Sequence, residues 1–169
     1  MTCFSRLALV LLVAASAATT QDEQDNRQSL KGLKGVQVVI EHLDAEAGRG
    51  GLYETTIQTD VELKLRQAGI RVLTQAESLE TPGFPYLYIN VGVIELWAGE
   101  SYVYRIDLRL KQSVVLARDP SLRVVGATTW SAPGHFGIAP RERLATIVRD
   151  RIKDQVDRFI NAYLSVNPR

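Results

Sequence analysis

The two histidines are the residues best suited to catalysis or metal binding in this sequence. His135 lies in the segment 132–137 (Ala-Pro-Gly-His-Phe-Gly), whose composition predicts an irregular loop. Loops on a rigid scaffold often carry function, and a histidine there could act as a base for a serine such as Ser131. The sequence has no G-x-S-x-G elbow and no identified acid to orient the imidazole. We therefore favour a local hydrogen-bonding role for His135, with a small hydrolase as the alternative.

His42 is predicted to end a strand, beside Glu41 and Asp44. The two histidines have neither H-x-x-x-H nor H-E-x-x-H spacing, and the single cysteine is Cys3. The glycines of segment 48–51 follow a strand and precede a helix, but they match neither the G-x-G-x-x-G nor the Walker pattern. The sequence therefore predicts no metal ligand, no cofactor-binding residue and no catalytic residue.

Tyrosines and arginines on two neighbouring strands are the strongest functional candidates. If Tyr86 and Tyr88 share a solvent-facing side of the sheet with Arg105 and Arg109, they form a patch with the composition of an interface. The alternative is that the arginine stems simply cover the rings. The sequence predicts partner binding through Tyr88, Arg105 and Arg109.

These residues are positioned by a predicted antiparallel hairpin of residues 86–97 and 102–112, which turns at 98–101. In the second arm apolar and polar residues alternate strictly, with Arg105, Asp107 and Arg109 on the polar side. Such alternation is typical of a strand with one face in the core and one in water.

The other elements follow from local patterns. We predict strands at residues 36–43, 70–73 and 124–130, loops at 44–53 and 80–85, a turn at 118–121 and an irregular segment at 131–140. A helix at 56–68 is predicted to begin with Thr55 as N-cap and to end at Gly69.

The last helix carries the clearest helical signal, an apolar stripe at helical spacing that consists of Leu144, Ile147, Val148, Ile152, Val156, Phe159, Ile160 and Tyr163. The predicted order is β-α-β-β-β-β-α. The fold class is α+β, a two-layer sandwich with two helices packed on one face of a mixed, mostly antiparallel sheet.

This layout resembles small cell-envelope α+β proteins. A signal peptide, a strand, a helix ending in Ala68-Gly69-Ile70, several antiparallel strands and a final amphipathic helix are similar to the lipopolysaccharide-assembly lipoprotein LptE and the N-terminal domain of TolB. The resemblance implies an accessory or binding role in the envelope. The chain departs from the lipoproteins because it has no lipobox cysteine, and no functional residue is carried over.

The first residues predict export. Arg6, the apolar run 7–15 and the Ala15-Ser16-Ala17 motif have the pattern of a secretory signal, and the run is shorter than the ~20 residues that a membrane span needs. We assign residues 1–18 to a signal peptide, 19–29 to a disordered polar leader and 30–169 to a single α+β domain.

Charge excludes one class of partner. Without Arg6, the remaining basic residues balance the 19 acidic residues, so nothing favours nucleic acid. The sequence predicts an extracytoplasmic, periplasmic or secreted, non-enzymatic protein without a transmembrane span in its mature chain. Its partner is expected to be another envelope protein or envelope component, and the sequence predicts no particular oligomeric state.

We predict that the exported protein begins close to Thr19. Substitution of Ala15 and Ala17 by leucine removes the small residues that a signal peptidase requires, so the precursor should persist. Intact mass and N-terminal sequencing of protein expressed in bacteria check this. A wild-type chain that keeps residues 1–18 would contradict the assignment.

Overall fold

The computed structural model describes residues 26–168. The predicted signal peptide and residues 19–25 of the predicted leader lie outside the described residues. The rest of that leader, predicted to be disordered, is ordered: residues 26–28 form a helical turn, and the Ser29 hydroxyl donates to the Thr129 carbonyl at 2.9 Å. The helices and strands are β1 Gln37–Ile40, α1 Ala45–Arg49, α2 Glu54–Gln67, α3 Gln75–Glu80, β2 Tyr86–Leu96, β3 Ser101–Leu116, β4 Asp119–Ser131, β5 His135–Pro140 and α4 Leu144–Val166. Short 3-10 turns, Trp97–Gly99 and Arg141–Arg143, precede β3 and α4.

One mixed sheet contains the five strands. Strands β1 and β2 are parallel, and the long pair β2–β3 is antiparallel. Strands β4 and β5 follow each other along the same side of β3, each antiparallel to it. The predicted α+β class and its mixed, mostly antiparallel sheet are confirmed.

The sheet has one buried and one open side, which we call the inner and outer face. The alternation predicted for the hairpin is confirmed. The inner residues of β2 and β3 are at most 5% exposed: Leu87, Ile89, Val91, Val93, Tyr102, Tyr104, Ile106, Leu108 and Leu110. Hydrophobic burial on this scale is the main favourable term in folding.

Helices α2 and α4 pack against the inner face. The predicted stripe on α4 is confirmed, because Leu144, Val148 and Ile152 are almost completely buried. Asp60 of α2 accepts two hydrogen bonds from the Arg149 guanidinium of α4, at 2.7 and 3.1 Å. Helix α2 ends at Gln67, and Gly69 follows it with a φ of +73°, the left-handed conformation that glycine adopts without strain.

One prediction between α2 and β2 was wrong, and one helix there was not predicted. The predicted strand 70–73 is only one parallel bridge, Val36 to Val72. Helix α3 follows it, and its N-cap Thr74 forms a capping box with Glu77. The cap accepts hydrogen bonds from backbone N–H groups at the start of α3. In a longer strand, these groups would have needed a neighbouring strand as partner.

Two helix starts also differ from the prediction. The segment 44–53, predicted as a loop, contains α1, in which Ala47 is 1% exposed. The N-cap of α2 is Tyr53 rather than Thr55, and its side chain forms no cap hydrogen bond. Apolar burial therefore sets these two helices more than local capping does.

The segment 131–140 was wrongly predicted to be irregular throughout. Its second half is β5, which pairs with β3 over six residues. Gly137 lies against Tyr104, and a Cβ atom there would stand 2.7 Å from the tyrosine hydroxyl oxygen. The glycine is therefore required by a close approach inside a strand, not by a turn.

Strands β3 and β4 extend beyond the body as a two-stranded arm, residues 113–126, whose side chains are mostly exposed. Its turn is at Ala117 and Arg118, whereas the sequence predicted a turn at 118–121. Pro120 already belongs to β4, which also begins earlier than predicted. The arm has register shifts, so its ladder tolerates a residue without an N–H.

We predict that replacing Phe159 by alanine lowers the free energy of unfolding by about 3–5 kcal/mol. Phe159 is fully buried, and its ring lies 5.3 Å from that of Trp130, so truncation removes both contact and area. Urea denaturation at equilibrium measures the change. Leu63→Ala is the matched control, because Leu63 is 53% exposed and its loss should cost less than about 0.5 kcal/mol. Equal losses of stability in the two variants would contradict this packing of Phe159.

Candidate functional site

The predicted site residues all lie on the outer face. Tyr88 of β2 is directly opposite Arg109 of β3, so these two side chains are neighbours. Arg105 lies on the same face but opposite Gly92, further along the hairpin. The structure thus places Tyr88 beside Arg109 and leaves Arg105 at a distance from Tyr88. We call Tyr86, Tyr88, Arg105 and Arg109 the tyrosine–arginine surface.

Tyr88 is held by a hydrogen-bond network. Its hydroxyl and the side-chain amide of Asn90 both donate to the Glu41 carboxylate. The Lys111 ammonium lies 3.8 Å from the centre of the Tyr88 ring, a cation–π contact. The ring therefore has a fixed position before any partner arrives.

The same network shifts two pKa values. Hydrogen bonds from Tyr88 and Asn90 lower the pKa of Glu41, and Lys111 adds to the effect. The hydrogen bond to Glu41 raises the pKa of Tyr88. Since the pKa of Glu41 is depressed on folding, its stabilising contribution is present above the unfolded pKa and is lost as pH falls through the folded one.

The arginines share one carboxylate. Asp107 accepts from Arg105 at 2.7 Å and lies 3.4 Å from Arg109. The Asp107 side chain is 12% exposed, whereas those of Arg105 and Arg109 are 64% and 39% exposed. Such surface pairs add little stability, but they orient the guanidinium groups and leave donors free for a partner.

The far end of the outer face is apolar. Ile94 of β2, Val103 of β3 and Ile138 of β5 stand side by side, and Phe136 lies opposite Arg105. Phe136, Ile94 and Ile138 are 80%, 66% and 61% exposed. Exposed apolar patches on soluble proteins often mark interaction sites. The sequence prediction missed this apolar end because it assigned Phe136 and Ile138 to an irregular segment.

His135 lies on the inner side of β5, next to Tyr104. Its Nε2 is 3.4 Å from the Tyr104 hydroxyl oxygen, and the two ring centres are 5.9 Å apart. Among residues 26–168, no hydrogen bond joins His135 to Ser131, and no carboxylate lies within 4.0 Å of its ring nitrogens. The geometry provides the local hydrogen bond that the sequence favoured for His135.

A small polar cavity of about 290 Å³ lies between β5 and α4. His135, Arg151, Asp154, Gln155 and Arg158 line it, together with the loop before β5. Gln155 is 4% exposed; its Nε2 donates to the Pro133 carbonyl at 3.3 Å, and its Oε1 has no partner among the described residues.

His42 is far more exposed than a strand end predicts, with 90% of its side chain accessible. Its Nδ1 lies 2.9 Å from Glu54, whose carboxylate also accepts from the Leu43 N–H. Over residues 26–168, no group of three His, Cys, Asp or Glu side chains is arranged to hold a metal ion. None of the helices in that range is long and apolar enough to cross a membrane.

Comparison with known proteins adds no assignment. No protein-family model matches the sequence, and no curated protein matches it. The outer face is therefore the feature from which a function can be inferred.

We predict that Tyr88→Phe raises the pKa of Glu41 towards its ordinary value. The substitution removes the hydrogen bond that contributes most to lowering this pKa. Titration of the Glu41 carboxyl carbon by NMR measures it. Tyr86→Phe is the matched control, since no hydrogen bond joins the Tyr86 hydroxyl to Glu41. Equal shifts in both variants would show that the network does not hold the carboxylate.

Proposed function

We propose that this chain is a secreted or periplasmic, non-enzymatic accessory protein of the cell envelope that works by surface recognition. Its partner is another envelope protein or envelope component, bound at the tyrosine–arginine surface. The observation that carries the proposal is the outer face of β2 and β3, which no helix of the described residues covers and where Tyr88 lies against Arg109.

Preorganisation is the physical basis of the proposal. Binding normally costs conformational entropy for each long side chain that becomes fixed. Tyr88 is already fixed by Glu41 and Lys111, and both arginines are already directed by Asp107. A partner would therefore bind a surface that is already ordered. Less of the free energy of its contacts would be spent on fixing side chains, so the affinity would be higher.

The residue types suit a polar partner surface. Tyrosine and arginine are enriched at binding hot spots, because each combines a large contact area with hydrogen-bond donors. Carboxylates or phosphates of the partner would accept from Arg105 and Arg109. Location outside the cytoplasm is supported by the N-terminal signal pattern, and the layout that resembles small envelope proteins favours the same compartment.

We predict that Arg105→Ala combined with Arg109→Ala reduces partner retention at least tenfold, a loss of about 1.4 kcal/mol or more. The mature chain is immobilised, envelope extract is passed over it, and the retained proteins and lipids are quantified by mass spectrometry. Both arginines are on the surface, so the variant is expected to fold.

The matched control is Arg66→Ala combined with Lys34→Ala. It removes the same charge from positions outside the sheet, Arg66 on α2 and Lys34 before β1. Components retained by the wild type and the control but lost from the arginine variant are specific partners. A variant that retains every component as the wild type does would refute the proposed surface.

A further inference from the structure

Strand β5 lies at an open edge of the sheet. It pairs with β3 on one side, and among residues 26–168 no strand pairs with its other side. The Arg141 N–H donates to the Glu100 carbonyl in the same register, at 3.0 Å. In an antiparallel pair, every second residue directs its backbone groups at the same neighbouring strand. Since Arg141 bonds towards β3, Phe136 and Ile138, which lie an odd number of residues before it, direct their backbone N–H and C=O groups to the open side.

This edge has few of the usual protections. Edge strands are commonly kept from pairing by Lys, by inward charges, by bulges or by very short length. Strand β5 has six residues without Asp, Glu, Lys or Arg, and its proline, Pro140, is the last residue. At the opposite edge β1 has only four residues. The β5 edge is therefore the better template for another strand.

We propose that β5 pairs with β5 of a second copy of this chain, antiparallel and centred on Gly137. In this register Phe136 lies opposite Ile138 of the other copy, and both positions direct backbone groups at the partner strand. Their side chains meet on the outer face as aromatic and β-branched cross-strand pairs, which favour association. The pairing thus covers the two side chains that are 80% and 61% exposed.

Helix α4 supplies matching charge below the strand. The flank that borders the cavity next to β5 carries Arg151, Asp154 and Arg158. A twofold axis through the β5 pair reverses the direction of the second α4. Asp154 already accepts from Arg151 of its own chain, at 3.1 Å, and its exposed carboxylate has lone pairs left for a donor of the other copy. Arg158 has no ion pair among the described residues and is available for this contact.

The proposed interface has three parts. The apolar end of the outer face, the backbone edge of β5 and the flank of α4 are continuous with one another. The proposal does not rest on the proposed function: Arg105 lies beside Phe136, but Tyr88 and Arg109 lie at the other end of the outer face.

The first test is the mass of the mature chain in solution. Sedimentation equilibrium over a wide range of concentrations should show a reversible monomer–dimer equilibrium. Ile138→Lys places a charge on the strand edge and should raise the dissociation constant by about 100-fold.

Val125→Lys is the control, since Val125 is 70% exposed on the arm and its replacement should leave the equilibrium unchanged. Tyr88→Ala with Arg109→Ala should also leave it unchanged, which separates this test from that of the proposed function.

The second test examines the register. Phe136→Cys and Ile138→Cys are prepared in the mature chain, which is expected to contain no other cysteine because Cys3 leaves with the signal peptide. Oxidation of the mixture should give a mixed disulfide in greater yield than either variant gives alone, because direct cross-strand pairs are closer than diagonal ones. A chain that stays monomeric overturns the proposal. The residues before Asn26 or a different protein would then be the candidates to cover the edge. Equal linking of each variant with itself overturns the register.

Discussion

The pairing of β2 with β3 is the constraint on which the rest of the structure depends. The two strands match over eleven residue pairs without a register shift, so every second side chain of both strands enters the core. A slip by one residue would expose that whole set and bury Arg105, Asp107 and Arg109 instead. Helices α2 and α4 pack on the side that this register makes apolar, and Asp60 joins them through Arg149.

The same register divides the outer face into two chemically different halves. Glu41, Tyr88 and Lys111 are close because β1, β2 and β3 are adjacent there. At the other end β5, and not β4, pairs with β3, and the side chains of β5 make this part of the outer face apolar. One uninterrupted strand, β3, thus supports a polar network and an apolar end without any change in its own backbone pattern.

The elements that could be predicted from the sequence are those with a strong internal period. The hairpin and α4 bury several residues at regular spacing, so local pattern and tertiary packing agree. The position of Tyr88 and Arg109 on one face followed from that pattern, but the opposition of these two side chains depends on the register, which the sequence did not specify. Contact of Glu41 with Tyr88 requires the parallel pairing of β1 with β2, and nothing local determines it.

Strand β5 and helix α1 could not be predicted from the sequence, for a different reason. The β5 residues include a glycine and a proline, which normally indicate a turn, and its partner β3 is distant in sequence. Gly137 is there because of the Tyr104 ring, a contact that appears only in three dimensions. Helix α1 is too short to carry a period, and burial of Ala47 decides its conformation.

The arm formed by the ends of β3 and β4 has a consequence for how new sequence could be added to this protein. Its turn, Ala117 and Arg118, is exposed, and the side chains of Val115 and Val125 remain largely outside the core. Chain inserted at such a tip pays only the small closure entropy of a longer loop and disturbs no packed side chain. The tip therefore offers a site where a reporter or an epitope can be spliced into the chain while the sheet below it keeps its register.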